Sequence, residues 1–321
     1  MKLHTAVTLA VLGLGMAVQQ GLADPITFDI TIFDVPGSTS TRANGINNAG
    51  QIVGGYTDAT GTHGFLDING TFTTLNFPGS TYTEATGINN LGQIVGIYSG
   101  GVFLYANGTF SNLGIPIFYG VSAVSNDIRV AINDAGHIVG TAPPNPNLES
   151  GALGYLYANG QLTFLPGAGV PGNDVVPLSI NNADVIAGWE RGPTADGPTG
   201  FVFSNGQYTY YGGGAAGSVA YGINNLGHIL VNDLEGDSRS AYLIANGVIS
   251  DLPVPLHYSS FPGYARGLND SDQIVGSYLA THGFLATPVP EPASFLLFAS
   301  GLAGVGLLLR RKRAKARLLR P

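Results

Sequence analysis

Apolar and polar residues alternate along most of this chain in short runs, separated by glycine and asparagine. The stretch "VFLYANGTFSNL" (residues 102–113) shows the pattern, with one alternating run on either side of Asn107-Gly108. Period-two alternation turns one face of a strand toward a core and the other toward solvent. Asn-Gly between two such runs is the strongest short hairpin signal, because both turn positions need positive φ. The pair recurs as Asn69-Gly70, Asn159-Gly160, Asn205-Gly206 and Asn246-Gly247. Upstream of each hairpin stands "GINNLGQIVGIY" or a variant, again two β-rich runs joined by a turn.

The first Asn of that phrase falls at Asn47, Asn89, Asn133, Asn181, Asn224 and Asn269, with spacings of 42, 44, 48, 43 and 45 residues. One period holds four short strands and no helical periodicity, which excludes helical repeats and gives the arithmetic of a propeller blade. Six phrases accompany only five Asn-Gly hairpins. The sixth hairpin is split: the repeats end with "HGFLAT" (residues 282–287) and begin with "ITIFDVPG" (30–37), which matches the second half of a hairpin such as "TFTTLNFPG" (71–79). Pairing of 30–37 beside 283–286 would close the array and leave no exposed inner edge. The expectation is an all-β, six-bladed β-propeller over residues 24–287.

The recurrent residues have structural readings. Ile and Val of "QIVG" should pack between blades, and Gly54, Gly96, Gly140, Gly188 and Gly276 should permit close backbone approach or a bulge. The asparagines suit turn starts. A rival reading makes the six turns a ring of amides around the axis that binds something there, with Asn90 and Asn225 as its test positions. His137 and His228 occupy the slot of Gln51, Gln93 and Gln273, a tolerated polar site rather than a metal pair. His63 and His282 match each other and read as structural.

The two ends are set apart. Residues 1–23 carry Lys2, an apolar run at 6–18 and "GLA" ending at Ala23: a secretory signal peptide cleaved after Ala23. Residues 288–321 hold Pro290, Glu291 and Pro292, then 17 apolar residues (293–309), then a basic tail from Arg310. By hydropathy the apolar stretch is a short transmembrane helix whose basic end stays cytoplasmic. This three-part tail resembles the PEP-CTERM sorting signal of Gram-negative bacteria. The resemblance implies recognition by an exosortase, membrane anchoring before processing, and delivery to the cell surface. The repeats resemble HAF-type extracellular repeats, with "HGFL" at 63–66 and 282–285 and "GVFL", "GYLY", "GFVF" and "AYLI" elsewhere. That family carries no settled activity.

Charge narrows the partners. Residues 24–290 contain 19 acidic residues and five arginines, a net −14, and no lysine. Such a domain repels phosphate backbones, so nucleic acid is excluded, while a neutral glycan or a divalent cation is compatible. The chain has no cysteine, which removes disulfides and thiol chemistry. No Gly-x-Ser-x-Gly elbow occurs. "NDSDQ" (269–273) and "NDLEGD" (232–237) cluster carboxylates without EF-hand spacing; they read as solvated acidic turns, with calcium a weak alternative.

Departures from the repeat are the better clue, since binding residues gather on loops of a rigid frame. Blades three and four have the long insertions, "APPNPNLES" and "WERGPTADGP". The only tryptophan, Trp189, stands there with Glu190 and Arg191, and this trio is the expected ligand site, suited to sugar stacking and hydroxyl binding. No catalytic residue is assigned. The expected function is a non-enzymatic surface module that binds extracellular polysaccharide or a surface protein, or spaces the envelope. The alternative is a glycan-active hydrolase or lyase, which needs paired carboxylates converging on one face.

Overall fold

The computed structural model describes residues 24–115, 129–142, 152–167, 173–191, 197–211, 217–234, 240–253, 264–279 and 281–290. Among them are 24 strands and no helix. They form six four-stranded antiparallel sheets arranged as the blades of a propeller. Blade one is β2 (Ser40–Ile46), β3 (Ile52–Asp58), β4 (Gly61–Ile68) and β5 (Thr71–Leu75). Blade two is β6 (Thr83–Ile88), β7 (Ile94–Tyr98), β8 (Gly101–Ala106) and β9 (Thr109–Asn112). Blade three is β10 (Val130–Ile132), β11 (Ile138–Ala142), β12 (Leu153–Ala158) and β13 (Gln161–Phe164). Blade four is β14 (Asp174–Ile180), β15 (Ile186–Arg191), β16 (Thr199–Ser204) and β17 (Gln207–Tyr211). Blade five is β18 (Ser218–Ile223), β19 (Ile229–Asp233), β20 (Ser240–Ala245) and β21 (Val248–Asp251). Blade six is β22 (Tyr264–Leu268), β23 (Ile274–Tyr278) and β24 (His282–Pro288), completed by β1 (Phe28–Phe33) from the other end of the chain.

The split blade closes as the repeat arithmetic requires. Ile30 lies opposite Ala286, Thr31 opposite Leu285, Ile32 opposite Phe284 and Phe33 opposite Gly283. The Asn-Gly turns have the predicted geometry. Asn69, Asn107, Asn159, Asn205 and Asn246 all have φ between 50° and 54°, and the glycines after them lie between 77° and 82°. These left-handed values admit Asn and Gly at low cost.

The core lies between blades rather than inside one. The valine of "QIVG" is fully buried at Val53, Val95, Val139 and Val275. Each packs into the next blade: Val53 beside Ala85 and Ile88, Val95 beside Val130 and Ile132, Val139 beside Val175 and Ile180, and Val275 beside Ala43 and Ile46. Complete burial of one such side chain stabilises by about 1.5–3 kcal/mol, so each blade depends on its neighbour. Close approach, not a bulge, explains the glycine that follows. A Cβ on Gly96 would overlap the Glu84 carbonyl oxygen and meet the Phe103 ring at 2.6–2.7 Å. The bulges sit on the opposing inner strands, between Ala43 and Gly45, Ala85 and Gly87, Pro177 and Ser179, Ala220 and Gly222, and Ala265 and Gly267.

No helix among the described residues is long and apolar enough to cross a membrane. The expected signal peptide (1–23), Glu291, Pro292, the apolar stretch 293–309 and the basic tail lie outside the described residues. Gly96→Ala is expected to destabilise the fold by about 1–3 kcal/mol, because the added methyl meets backbone rather than a yielding side chain. Urea denaturation measures this; an unchanged midpoint would show that blade two can open at that point.

Candidate functional site

The loop between the first and second strand of each blade faces the propeller axis, and two closed rings of hydrogen bonds run through these six loops. The first ring uses the first Asn. Its side-chain Oδ1 accepts two backbone N–H bonds within its own turn, as Asn89 does from Leu91 and Gln93. Its Nδ2 donates to the carbonyl of the equivalent Asn in the next blade. The chain of donations runs Asn47 to Asn89, Asn133, Asn181, Asn224, Asn269 and back to Asn47, at 3.0–3.1 Å throughout. An amide supplies acceptor and donor together, whereas an ionised aspartate could only accept; all six positions are Asn.

The second ring uses the following residue. Here the backbone N–H donates to the side-chain Oδ1 of the next blade: Asn48 to Asn90, then Asp134, Asn182, Asn225, Asp270 and back to Asn48, at 2.7–2.9 Å. An acceptor suffices, so Asn and Asp both occur. Asp134 and Asp270 stand three blades apart, and each carboxylate takes amide donors from both sides. Asn90 and Asn182 donate to Asp134 Oδ2, while Asn48 and Asn225 donate to Asp270 Oδ2. Burial pushes the Asp134 carboxyl up, but the bonds from Asn90 and Asn182 outweigh it and hold the group below the usual range.

The histidines belong to this lattice. Asp184 and Asp272 replace the turn glycine at positive φ (57° each). His137 Nδ1 is 2.8 Å from Asp184 Oδ1, and His228 Nδ1 is 2.8 Å from Asp272 Oδ1, each pair bridging to the next blade. The same aspartates accept from Asn133 and Asn224, as Gln51, Gln93 and Gln273 do for their own asparagines. Histidine in the glutamine slot therefore accompanies aspartate in the next turn. His63 Nδ1 meets Asn76, and His282 Nδ1 meets Asp34, at equivalent places in blades one and six. The expected solvated turn at 269–273 is corrected: Asp270 belongs to the ring and Asp272 to a histidine pair. Among the described residues no group of three or more His, Asp or Glu is placed to hold a metal ion.

Two small axial pockets lie back to back. One, about 60 Å³, is walled by the amide rings; the other, about 80 Å³, contains Arg129, Arg266, Asn44, Thr86 and Ser179. Ile46, Ile88, Ile132, Ile180, Ile223 and Leu268 line both and form an apolar collar between them. Arg129 donates to the carbonyls of Asn44, Thr86 and Arg266, and Arg266 donates to Asn44 Oδ1. These buried guanidiniums tie blades one, two, three and six across the axis.

The expected trio does not converge. Trp189, Glu190 and Arg191 are consecutive residues of β15, so alternation sends neighbours to opposite faces of blade four. Trp189 is only 4% exposed and packs with Val219 and Tyr221 of blade five. Arg191 Nη2 lies 2.6 Å from Asp174 Oδ2, its partner on β14. Glu190 is on the other face, the one that carries Phe201, Phe203, Tyr208 and Tyr210 in register. The rings of Tyr208 and Tyr210 are 6.1 Å apart and nearly parallel, at 11°. The loop residues 143–151 and 192–196 lie outside the described residues. The signal for the tyrosines is "QYTYY" (207–211), an outer strand with a ring at Tyr210 where blades one, two and five carry Thr74, Asn112 and Asp251.

Comparisons with known proteins add one family finding. Residues 288–313 match the PEP-CTERM protein-sorting motif. No curated protein matches the chain. Among solved structures it is similar to virginiamycin B lyase from Staphylococcus aureus, at 12% identity and TM-score 0.49, over 82% of this chain and 100% of that one. It is also similar to a gluconolactonase from Xanthomonas campestris (12%, TM-score 0.48, 83% and 96%). A third is the calcium-binding protein regucalcin from Agrobacterium tumefaciens (12%, TM-score 0.45, 84% and 99%). At these values the likenesses carry nothing about activity.

The rings separate two kinds of asparagine. Asn89→Ala removes an interblade donor and two turn caps from a buried site and is expected to cost about 1–3 kcal/mol; Asn90→Ala, exposed, should cost about 0.5–1.5 kcal/mol. Equal losses in urea denaturation would contradict the assignment. Trp189→Ala should cost about 3–5 kcal/mol as a core truncation. A fully stable Trp189→Ala protein would show that the indole is not part of the blade four–blade five contact.

Proposed function

We propose that the chain is an exported, surface-sorted propeller that acts by binding or spacing, without catalysis. The match at 288–313 supports the address. On this reading residues 1–23 are removed on export, 24–287 form the delivered domain, and 288–321 anchor the chain until an exosortase acts near Pro290, Glu291 and Pro292. The likeness of the repeats to HAF-type extracellular repeats agrees with that route. Calcium remains a weak candidate ligand, without an assigned site.

The axis carries the non-catalytic part of the reading. A hydrolase or lyase would need carboxylates free to trade protons at a substrate. The two carboxylates lining the ring pocket, Asp134 and Asp270, instead accept amide bonds from both neighbours. An apolar collar closes the pocket behind them. Glu190, the other expected carboxylate, lies on a lateral face of blade four.

Replacing Pro290, Glu291 and Pro292 together with alanine tests the sorting. In a host with the sorting machinery, the unprocessed chain is expected to accumulate in the membrane fraction while the surface pool falls. Unchanged surface display would remove the tail from the account. Purified wild-type chain should release no new reducing ends or unsaturated products from polysaccharides. Product formation abolished by Asp134→Asn would instead establish the enzyme reading.

A further inference from the structure

The outer strands of the blades offer an internal comparison. One position on each faces the large ring of the third strand: Thr74 opposite Phe65, Asn112 opposite Phe103, Phe164 opposite Tyr155, Tyr210 opposite Phe201, and Asp251 opposite Tyr242. In blade six the equivalent is Ile32, opposite Phe284. The position is polar in blades one, two and five and aromatic only in three and four, which are neighbours. Phe164 and Tyr210 are each 49% exposed. Burial does not explain large rings at these two places, since the other blades are complete without them.

Blade four adds a second ring and an acceptor. Tyr208 is held from behind, edge-on to Phe201 at 5.0 Å and tilted on Phe203 at 4.8 Å. Its hydroxyl donates to the Pro166 carbonyl at 2.8 Å, which fixes the ring to the end of blade three. Tyr210 lies nearly parallel to it and open to solvent. Burial first, and then a hydrogen bond to the Glu190 carboxylate, push the Tyr210 phenol up to about 12. The result is a pre-ordered pair of ring faces beside a carboxylate on one rigid sheet.

We infer that the outer part of the blade-four face that turns toward blade three, formed by Tyr208, Tyr210 and Glu190, binds an uncharged hexose polymer. Phe164 lies on the other side of blade three, the side packed on blade two. Parallel ring faces match the apolar C–H faces of successive sugar rings, and the phenol oxygens and the remaining lone pairs of Glu190 can accept hydrogen bonds from their hydroxyls. The charge argues for a neutral chain, since a domain with 19 acidic residues against five arginines repels polyuronates and sulfated glycans. A rigid two-χ aromatic pair loses little freedom on binding, which suits a weak, repeated contact with a long polymer. The inference rests on the surface-module reading and gives that module a ligand class and a face.

The test uses the purified full chain against three uncharged polymers (a glucan, a mannan and a galactan), a polyuronate and an amino-sugar polymer, at physiological salt. Wild type should bind at least one uncharged polymer and not the polyuronate. Tyr210→Ala should weaken binding by about 3–10-fold, as loss of one aromatic contact predicts, and Tyr210→Phe should retain most of it. Tyr210 is exposed, so its thermal midpoint should match wild type. Three results overturn the inference: no uncharged polymer bound, binding only to the amino-sugar polymer, or unchanged affinity in a normally folded Tyr210→Ala variant. None of these bears on surface sorting, which is read separately from the tail variant.

Discussion

Two rings of asparagine hydrogen bonds at the axis are the constraint on which the rest of this propeller depends. Each ring closes only if six equivalent loops stand at equal spacing, and the last donation returns to the first blade through Asn269 and Asp270. Every first Asn does two jobs at once, capping its own turn and gripping the next blade. The rings therefore couple local turn geometry to global closure. The arrangement is hydrogen-bonded throughout, which is what an axial polar cluster needs if it is not to cost stability.

Closure at the perimeter is of a different kind. There β1 adds to β24, so a chain end completes the sixth sheet. Without that strand, blade six would have three strands where the other blades have four. With it, both ends of the delivered segment meet in one blade, a layout that lets a tail emerge without interrupting the wheel. The valine of each "QIVG" then fills the seam to the following blade. Axis, seam and perimeter repeat one rule, in which every blade is completed by another part of the chain.

Much of this was legible beforehand because it repeats. The period near 44 residues, the Asn-Gly turns and the split hairpin each specify backbone geometry through residue type alone. The glycine of "QIVG" was left between two explanations, and only packing against Phe103 and the Glu84 carbonyl decided for close approach. The rival reading is an axial ring of amides that binds a ligand; in the structure the first asparagines cap their own turns and bond one another around the axis. The ring partners are not legible in the sequence, because they lie 42–51 residues away, or 222 where the rings close, and are defined by register between blades. The trio Trp189, Glu190 and Arg191 shows the limit most clearly. Chain proximity proposed a shared site, but period-two alternation in β15 separates the side chains. Tyr208 and Tyr210 escaped notice because an outer-strand aromatic becomes informative only when the equivalent positions of the other blades are aligned.

The division of labour that results is a rigid axis and a variable rim. The axis is spent on holding itself together, and the chemical novelty of blades three and four lies on their outer faces. Native-state hydrogen exchange is the most direct measurement of the central claim. The backbone amides of Asn48, Asn90, Asp134, Asn182, Asn225 and Asp270 sit in turns at the surface and would ordinarily exchange fast. If the second ring holds the wheel, all six are protected, and they exchange together at the rate of global unfolding. Fast exchange, or six unrelated rates, would mean that the blades are held by their seams alone and that the rings merely decorate the axis.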